Sequence, residues 1–280
     1  AIHGNSTKTA LLDTTQLPAF EVELDDLDGQ FTFHKMPLRD FHASLVSKND
    51  AISIKDFRGK VGRSDFKLDG KLTHLTSNEK EIAGNINLSA SVLDIDELII
   101  YEEDTTENLA KSTAYHDSTS NLFAFPFPNL DFTLDVSHIN YHKYLLDDVK
   151  AKGRFTENHL IYLDTLQLIA ADGAIGLKGY FNGENPDSIY TKSDLYLDGI
   201  SLDKIAYKMD NFGTDYAFNE TLHGKVYGKV NSTFRLHRDF TPYLENSEAH
   251  IEAKIKDGKL ENFPPMDMMA DYFGEKNVKN

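Results

Sequence analysis

Asp50-Ala-Ile-Ser-Ile-Lys-Asp-Phe-Arg-Gly-Lys-Val-Gly-Arg-Ser-Asp-Phe-Lys-Leu-Asp-Gly-Lys-Leu72 reads as two strands around a glycine-containing connection. Ile52 and Ile54 alternate with polar residues, as do Phe66, Leu68 and Leu72. An apolar period of two marks a half-buried strand. Gly59 and Gly62 suit the turn between the strands, because only glycine enters positive φ without a steric cost. Gly70 falls where a bulge or a close backbone approach would sit.

The same stretch occurs twice. His159-Leu-Ile-Tyr-Leu-Asp-Thr-Leu-Gln-Leu-Ile-Ala-Ala-Asp-Gly-Ala-Ile-Gly-Leu-Lys-Gly-Tyr-Phe181 overlays the first copy when shifted by 109 positions. Ile161 falls on Ile52, Leu163 on Ile54, Ile175 on Phe66, Leu177 on Leu68, Gly179 on Gly70 and Phe181 on Leu72. Upstream, Tyr141-His142-Lys143 lies over Phe33-His34-Lys35. Downstream, the segment from Ile200 to Ile205 lies over that from Leu93 to Leu98, with slips of one or two residues. Two tandem units follow, roughly 31–98 and 139–205. Repetition at a fixed period implies units that bury their faces against one another.

Alternation extends outward from the repeat. Residues 1–19 read as a linker or leading segment, rich in Ser and Thr. Phe20, Val22 and Leu24 begin a strand that the Asp25–Gly29 cluster would turn, and Phe31 and Phe33 continue it. Ile86 and Leu88 lie on a long alternating strand within a first unit over 20–101. Residues 102–121 are polar and read as a mobile surface loop. A second unit spans 122–209, with Phe132, Leu134 and Val136 on one strand, Ile139 and Tyr141 on the next, and Leu195 and Leu197 near its end. Ser201 would cap a short helix carrying Leu202, Ile205 and Met209. The remainder, 210–280, starts a third, truncated unit, with Val226, Val230, Ile251 and Ile255 on its strands. Thr241-Pro242 resembles a helix start, Asp257-Gly258 a hairpin turn, and 265–273 an amphipathic helix.

The balance of 29 basic and 45 acidic residues gives a net charge of −16. Such a chain is repelled by phosphate backbones, so nucleic acid is not an expected partner. With no cysteine, disulfides and thiolate metal sites are excluded. No apolar run approaches the length of a membrane span. The start at Ala1, without Met, reads as a piece of a longer protein. No nucleophile elbow, phosphate loop or dinucleotide fingerprint is present. His138 and His142 are four apart, which on a strand is too far to share a metal ion. Asp94-Ile95-Asp96-Glu97 lacks the ligand set of a calcium loop and reads as a solvated acidic turn. No catalytic residue, cofactor or metal is expected, and the chain does not read as an enzyme.

The apolar face then has two readings. It is the core of a two-sheet sandwich, or it is one long curved sheet whose face lines a groove for acyl chains. The repeat favours the groove, because such a sheet adds strands indefinitely. The groove would be lined by Phe31, Phe33, Ile52, Ile54, Phe66 and Leu68, then Ile86, Leu88, Ile161, Leu163, Ile175 and Leu177. Leu195, Leu197, Val226, Val230, Ile251 and Ile255 would continue it.

Three segments resemble the AsmA-like proteins of Gram-negative envelopes. They are the run from Phe57 to Gly70, Leu222-His-Gly-Lys-Val-Tyr-Gly-Lys-Val-Asn-Ser-Thr-Phe-Arg-Leu236, and the run from Pro242 to Met266. The resemblance covers about residues 20–273. It implies an all-β, mainly antiparallel, elongated repeat sheet with a few short helices. It also implies a periplasmic location, an inner-membrane anchor in the full-length parent, and phospholipid or another acyl-chain lipid as partner. Contact with the inner and outer membranes would come through parts of the parent outside this chain. Two alternatives stand beside a lipid conduit. One is a scaffold for outer-membrane protein assembly that carries no lipid. The other is a β-sandwich module that binds glycans or proteins.

Overall fold

The computed structural model describes residues 2–6, 18–30, 36–76, 82–99, 127–141, 144–185, 187–208, 217–236 and 242–262. The chain is all-β. Its first half comprises β1 (Ile2–Ser6), β2 (Phe20–Gln30), β3 (Pro37–Lys48), β4 (Ala51–Val61), β5 (Ser64–Thr73), β6 (Ala83–Asp94) and helix α1 (Ile95–Ile99). The second half comprises β7 (Asn129–Tyr141), β8 (Tyr144–Thr156), β9 (Leu160–Ala170), β10 (Gly173–Asn182), β11 (Ile189–Ser201) and helix α2 (Leu202–Lys208). Helix α3 (Phe218–Thr221), β12 (Leu222–Leu236) and β13 (Pro242–Leu260) follow. All thirteen strands form one open, curled sheet in sequence order. Every neighbouring pair is antiparallel except β6 and β7, which are parallel.

Tight turns explain the meander. Asn49 and Asp50 have φ of 52° and 58°, and Ala171 and Asp172 have φ of 47° and 60°. Paired positive φ angles match the twist of flanking strands. Gly62, at φ 58°, occupies the corresponding turn of the first copy.

The repeat is visible in the pairing. Ile54 faces Gly70 and Ile52 faces Leu72. Leu163 faces Gly179 and Ile161 faces Phe181. Both hairpins slip register at the same place, between Ile54 and Phe57 in the first and between Leu163 and Leu166 in the second. The order β2 to β6 then α1 recurs as β7 to β11 then α2.

Aspartates mark the irregularities. Asp26, Asp40, Asp56, Asp148 and Asp257 all have positive φ within strands, and each lies at a register shift. Asp tolerates this left-handed conformation better than most residues, and a bulge bends its strand and raises the local twist. Two bulge N–H groups are taken up by carboxylates across the ladder. Asp56 N donates to Asp69 Oδ1 at 2.9 Å and Asp40 N to Asp28 Oδ1 at 3.1 Å. The bulges crowd toward the rim where α1 and α2 emerge. The buried side chains gather toward that rim as well: Leu38, Phe41 and Ala43 in one cluster, Val136, Val149 and Leu168 in a second, Ile200, Leu202 and Val226 in a third. Bulges and the three buried clusters thus share one rim, while Ser47 and Ile189 are buried toward the other.

Several expectations are corrected here. The leading segment contributes β1, because an edge strand pairs through its backbone and needs no alternation. Asp25–Gly29 and Asp257-Gly258 are not turns: the strands run through them as bulges. Gly59 lies in β4, buried under the ring of Phe41. Pro242 opens β13 rather than a helix, at the end of a strand where its missing N–H breaks no internal ladder. Ile139 and Tyr141 continue β7 instead of forming a separate strand. Phe31, Phe33, His142, Met209, the 102–121 loop and the 265–273 helix lie outside the described residues.

The acidic turn at Asp94 is also corrected, because Asp94 is only 3% exposed. Its Oδ1 accepts the N–H of Glu97 at 3.0 Å, which caps α1. Its Oδ2 meets Arg63 Nη2 at 2.9 Å and accepts from Asn140 Nδ2 at 3.2 Å. Arg63 N donates to Glu97 Oε2 at 2.7 Å. One carboxylate thus ties the β4–β5 turn, α1 and β7 together. In the second unit Ser201 N donates to the Ala171 carbonyl at 2.8 Å and Lys204 Nζ to Asp172 Oδ1 at 2.5 Å. The Ser201 hydroxyl donates to Asp203 Oδ1 rather than accepting from the helix backbone.

Asp65 does similar work on β5. Pairing of β5 with β6 stops at Lys67 opposite Ser89. Beyond it, the Asp65 carboxylate accepts the N–H of Ser91 at 3.0 Å and of Val92 at 2.7 Å. Burial alone would push its carboxyl up. The N–H groups of Ser91 and Val92 outweigh it and hold the group below the usual carboxylate range. A depressed folded value means stability that is present above the unfolded pKa of about 3.9 and lost as pH falls through the folded value. Urea unfolding should therefore show Asp65→Asn less stable than the parent at pH ~7, with the gap closing on acidification below about pH 4. A gap that widens in acid would refute this account.

Candidate functional site

Register assigns every side chain to a face, since directly opposed residues share one. One lateral row can be followed across the entire sheet. From Gly4 it passes through Val22, Leu45, Ile54, Gly70 and Ile86. It continues through Phe132, Gly153, Leu163, Gly179, Ser193 and Ser232 to Ala249. The next row toward the bulged rim holds Phe57, Leu68, Leu88, Leu134, Ala151 and Leu166, then Leu177, Leu195, Val230 and Ile251. The row on the other side holds Ile52, Leu72, Gly84, Leu130, Phe155, Ile161 and Phe181 before it reaches Thr191 and Phe234. These rows carry no charged side chain.

Every proposed lining residue among the described ones lies on this face. Ile52, Ile54, Phe66, Leu68, Ile86 and Leu88 share it with Ile161, Leu163, Ile175, Leu177, Leu195 and Leu197. All twelve are half-buried. Val226 is buried at 9% exposure, whereas Ile251 and Ile255 on β13 are 64% and 53% exposed. No second sheet covers the face among the described residues, so the sandwich reading is overturned.

Two of its few polar groups are matched to each other: Ser193 Oγ and Ser232 Oγ are 2.7 Å apart. Aromatic clusters fill the curl. Phe41 and Phe57 meet edge-on at 5.0 Å, and Phe132 lies 5.0 Å from Phe155. Gly153 makes room for that packing, since a Cβ there would come within 2.6 Å of the Phe132 ring. The candidate list missed Phe57, Leu130, Phe132, Leu134 and Phe155. Leu130, Phe132 and Leu134 alternate as regularly as the residues chosen, and that would have placed them, whereas Phe57 is out of phase with Ile54 because the bulge at Asp56 shifts it onto the same face.

Twelve interstrand steps of about 4.8 Å make the face about 58 Å long. From the Ile52 row to the Phe66 row, three two-residue steps add about 20 Å of width. Half of a bilayer's hydrocarbon core is about 15 Å, so the width accommodates an extended acyl chain.

The outer face is polar and charge-matched. Asp131 stands opposite Arg154 and Asp135 opposite Lys150. Lys178 stands opposite Asp194 and Lys229 opposite Glu252. A depression of about 540 Å³ there is lined by Asp40, His42, Arg58, Lys60, Asp65 and Lys67 among others. Its cations already have partners, with Lys60 Nζ 2.7 Å from Asp40 and Arg58 Nη1 3.3 Å from Asp56. Arg154 lies 4.5 Å over Tyr162, which stacks on Tyr180 at 6.0 Å. Tyr180 meets Tyr190 edge-on at 5.8 Å. This strip staples four strands and turns ring faces toward one another rather than outward. His138 Nδ1 is 2.7 Å from Asp147 Oδ1 across the β7–β8 ladder.

No helix among the described residues is long and apolar enough to cross a membrane. No protein-family model matches the chain, and no curated protein matches it.

Proposed function

We propose that the inner face is a lipid-binding trough. In this reading acyl chains lie on the rows of Ile, Leu and Phe while headgroups project past the rim opposite α1 and α2. The parent protein contributes in this way to phospholipid movement between inner and outer membranes and to outer-membrane integrity. The proposal places the chain in the periplasm, in an AsmA-like protein anchored to the inner membrane by segments outside this chain. The carrying observation is the uncharged, mainly apolar face, followed strand by strand from β2 to β13 with no layer upon it among the described residues. Monomeric proteins rarely leave more than a few hundred Å² of contiguous apolar surface to water, and larger patches mark binding surfaces. At about 25 cal/mol per Å², a face of this size is strongly stabilised by an apolar occupant.

The test is mass spectrometry of lipids extracted from the purified chain. Phospholipid at one or more molecules per chain is the expected result. A folded chain that carries no lipid, and takes up none from vesicles of mixed phospholipids, would leave the scaffold reading in its place.

A further inference from the structure

We propose that Thr191, Ser193 and Ser232 form a subsite in the trough that holds the acyl-ester carbonyls of a glycerolipid. This rests on the trough reading above and adds where along the sheet the ester linkage sits. The three hydroxyls lie on the inner face of β11 and β12, and all three residues are half-buried. Ser193 Oγ and Ser232 Oγ are 2.7 Å apart across the ladder. Only one proton lies between two hydrogen-bonded hydroxyl oxygens, so the pair keeps a second O–H to donate. Among the described residues neither that O–H nor the Thr191 hydroxyl has a partner.

The repeat shows that the fold does not need these hydroxyls. Gly179, opposite Ser193, overlays Gly70, opposite Ile86. Ser193 thus stands where the first unit carries Ile86, whose neighbour on the far side is Phe132 rather than a serine. By the same register Thr191 takes the place of Gly84, while Leu195 repeats Leu88. The first unit fills this position with apolar side chains, and the second turns it into a patch of O–H donors.

What such donors match follows from their surroundings. A hydroxyl pressed against hydrocarbon loses its water and is disfavoured unless an acceptor replaces that water. The rows around the patch carry no charged side chain, so nothing on them offsets a phosphate or a carboxylate. An ester carbonyl is a neutral acceptor already joined to an acyl chain. Thr191 lies one two-residue step, about 7 Å, nearer the rim opposite α2 than Ser193. Leu195 and Leu197 follow toward α2. The carbonyls rest on the hydroxyls, the chains run over Leu195, Leu197 and Val230, and the headgroup lies toward the rim.

The test offers the purified chain vesicles that hold diester and diether phosphatidylethanolamine in equal amounts, with identical chains. The ether lipid lacks only the carbonyl oxygens. Mass spectrometry of the lipid taken up should show the diester enriched about fivefold, the worth of one net hydrogen bond. Thr191→Val, Ser193→Ala and Ser232→Ala together should abolish the preference. Ser232→Thr alone keeps the hydroxyl and should preserve it, and Ser89→Ala on the outer face should leave the ratio unchanged. Circular dichroism checks that each variant is folded, as the apolar first unit leads one to expect. In the infrared, the ester band of a carbonyl-labelled diester held by the chain should move to higher frequency in the triple variant, because its hydrogen bonds are gone. Equal uptake of the two lipids by the parent overturns the subsite and leaves the trough standing. So does a preference that survives in the triple variant, or an ester band that does not move. Uptake of neither lipid removes the trough and the subsite together.

Discussion

Leu177→Asp and Leu68→Asp are each expected to strip the purified chain of phospholipid. Both leucines lie on the row that continues through Leu88, Leu134, Leu166 and Leu195, and both are half-buried. A carboxylate on that row faces hydrocarbon whenever lipid is bound. An unpaired charge there costs several kcal/mol, and each ~1.4 kcal/mol lowers occupancy about tenfold at subsaturating lipid. The same substitutions at Lys67 and Lys178, one residue along on the exposed outer face, should leave lipid content within about twofold of the parent. Because neither leucine belongs to the buried clusters and both lysines are exposed, circular dichroism should be unchanged. If inner and outer variants are equally folded and retain equal lipid, the conduit is wrong.

Val136→Asp is expected to destabilise the sheet severely. Val136 is 0% exposed and packs with Val149, Leu168 and the side chains of Ala90, Leu134 and Ile139. It sits beside the join of the two units, opposite Ala90 on β6 and Val149 on β8. Losing the apolar burial costs about 2 kcal/mol, and desolvating a carboxyl with no partner adds at least as much. On the order of 4 kcal/mol is a large share of a typical folding free energy. Urea titration should move the midpoint far below that of Val136→Ala, which removes only the packing. A Val136→Asp chain within about 1 kcal/mol of the parent would show that the junction is not packed as described.

Period-two alternation was enough to read a single-faced sheet, because each strand's apolar set is locally complete. The repeat was legible for a related reason: Ile54 and Leu163 both face glycines, and a glycine demanded by a close backbone approach leaves a fixed mark at a fixed spacing. Aspartate misled. In Asp25–Gly29 and Asp257-Gly258 it signals a left-handed residue, but a turn and a bulge both need one, and only the partner strand distinguishes them. Asp94 misled in another way. Its burial depends on Arg63 from a turn some thirty residues earlier and Asn140 from the next unit, and no local pattern records such partners. The parallel step from β6 to β7 is also invisible locally, because strand direction is set by the path of the intervening chain.

That parallel step has a consequence for how such a sheet grows. A unit of five strands is odd, so its first and last strands run the same way. Joined to the next unit by an antiparallel pair, the following unit would be inverted, and successive helices would emerge on alternate margins. The parallel β6–β7 pair resets the direction, so the second unit is a translated copy and α1 and α2 stand on one side, like newel posts along a single flight of stairs. The antiparallel β11–β12 pair does not reset it. The strands from β12 onward therefore run in the opposite phase, and the polarity of the assembly is written into two junctions rather than into the repeats themselves.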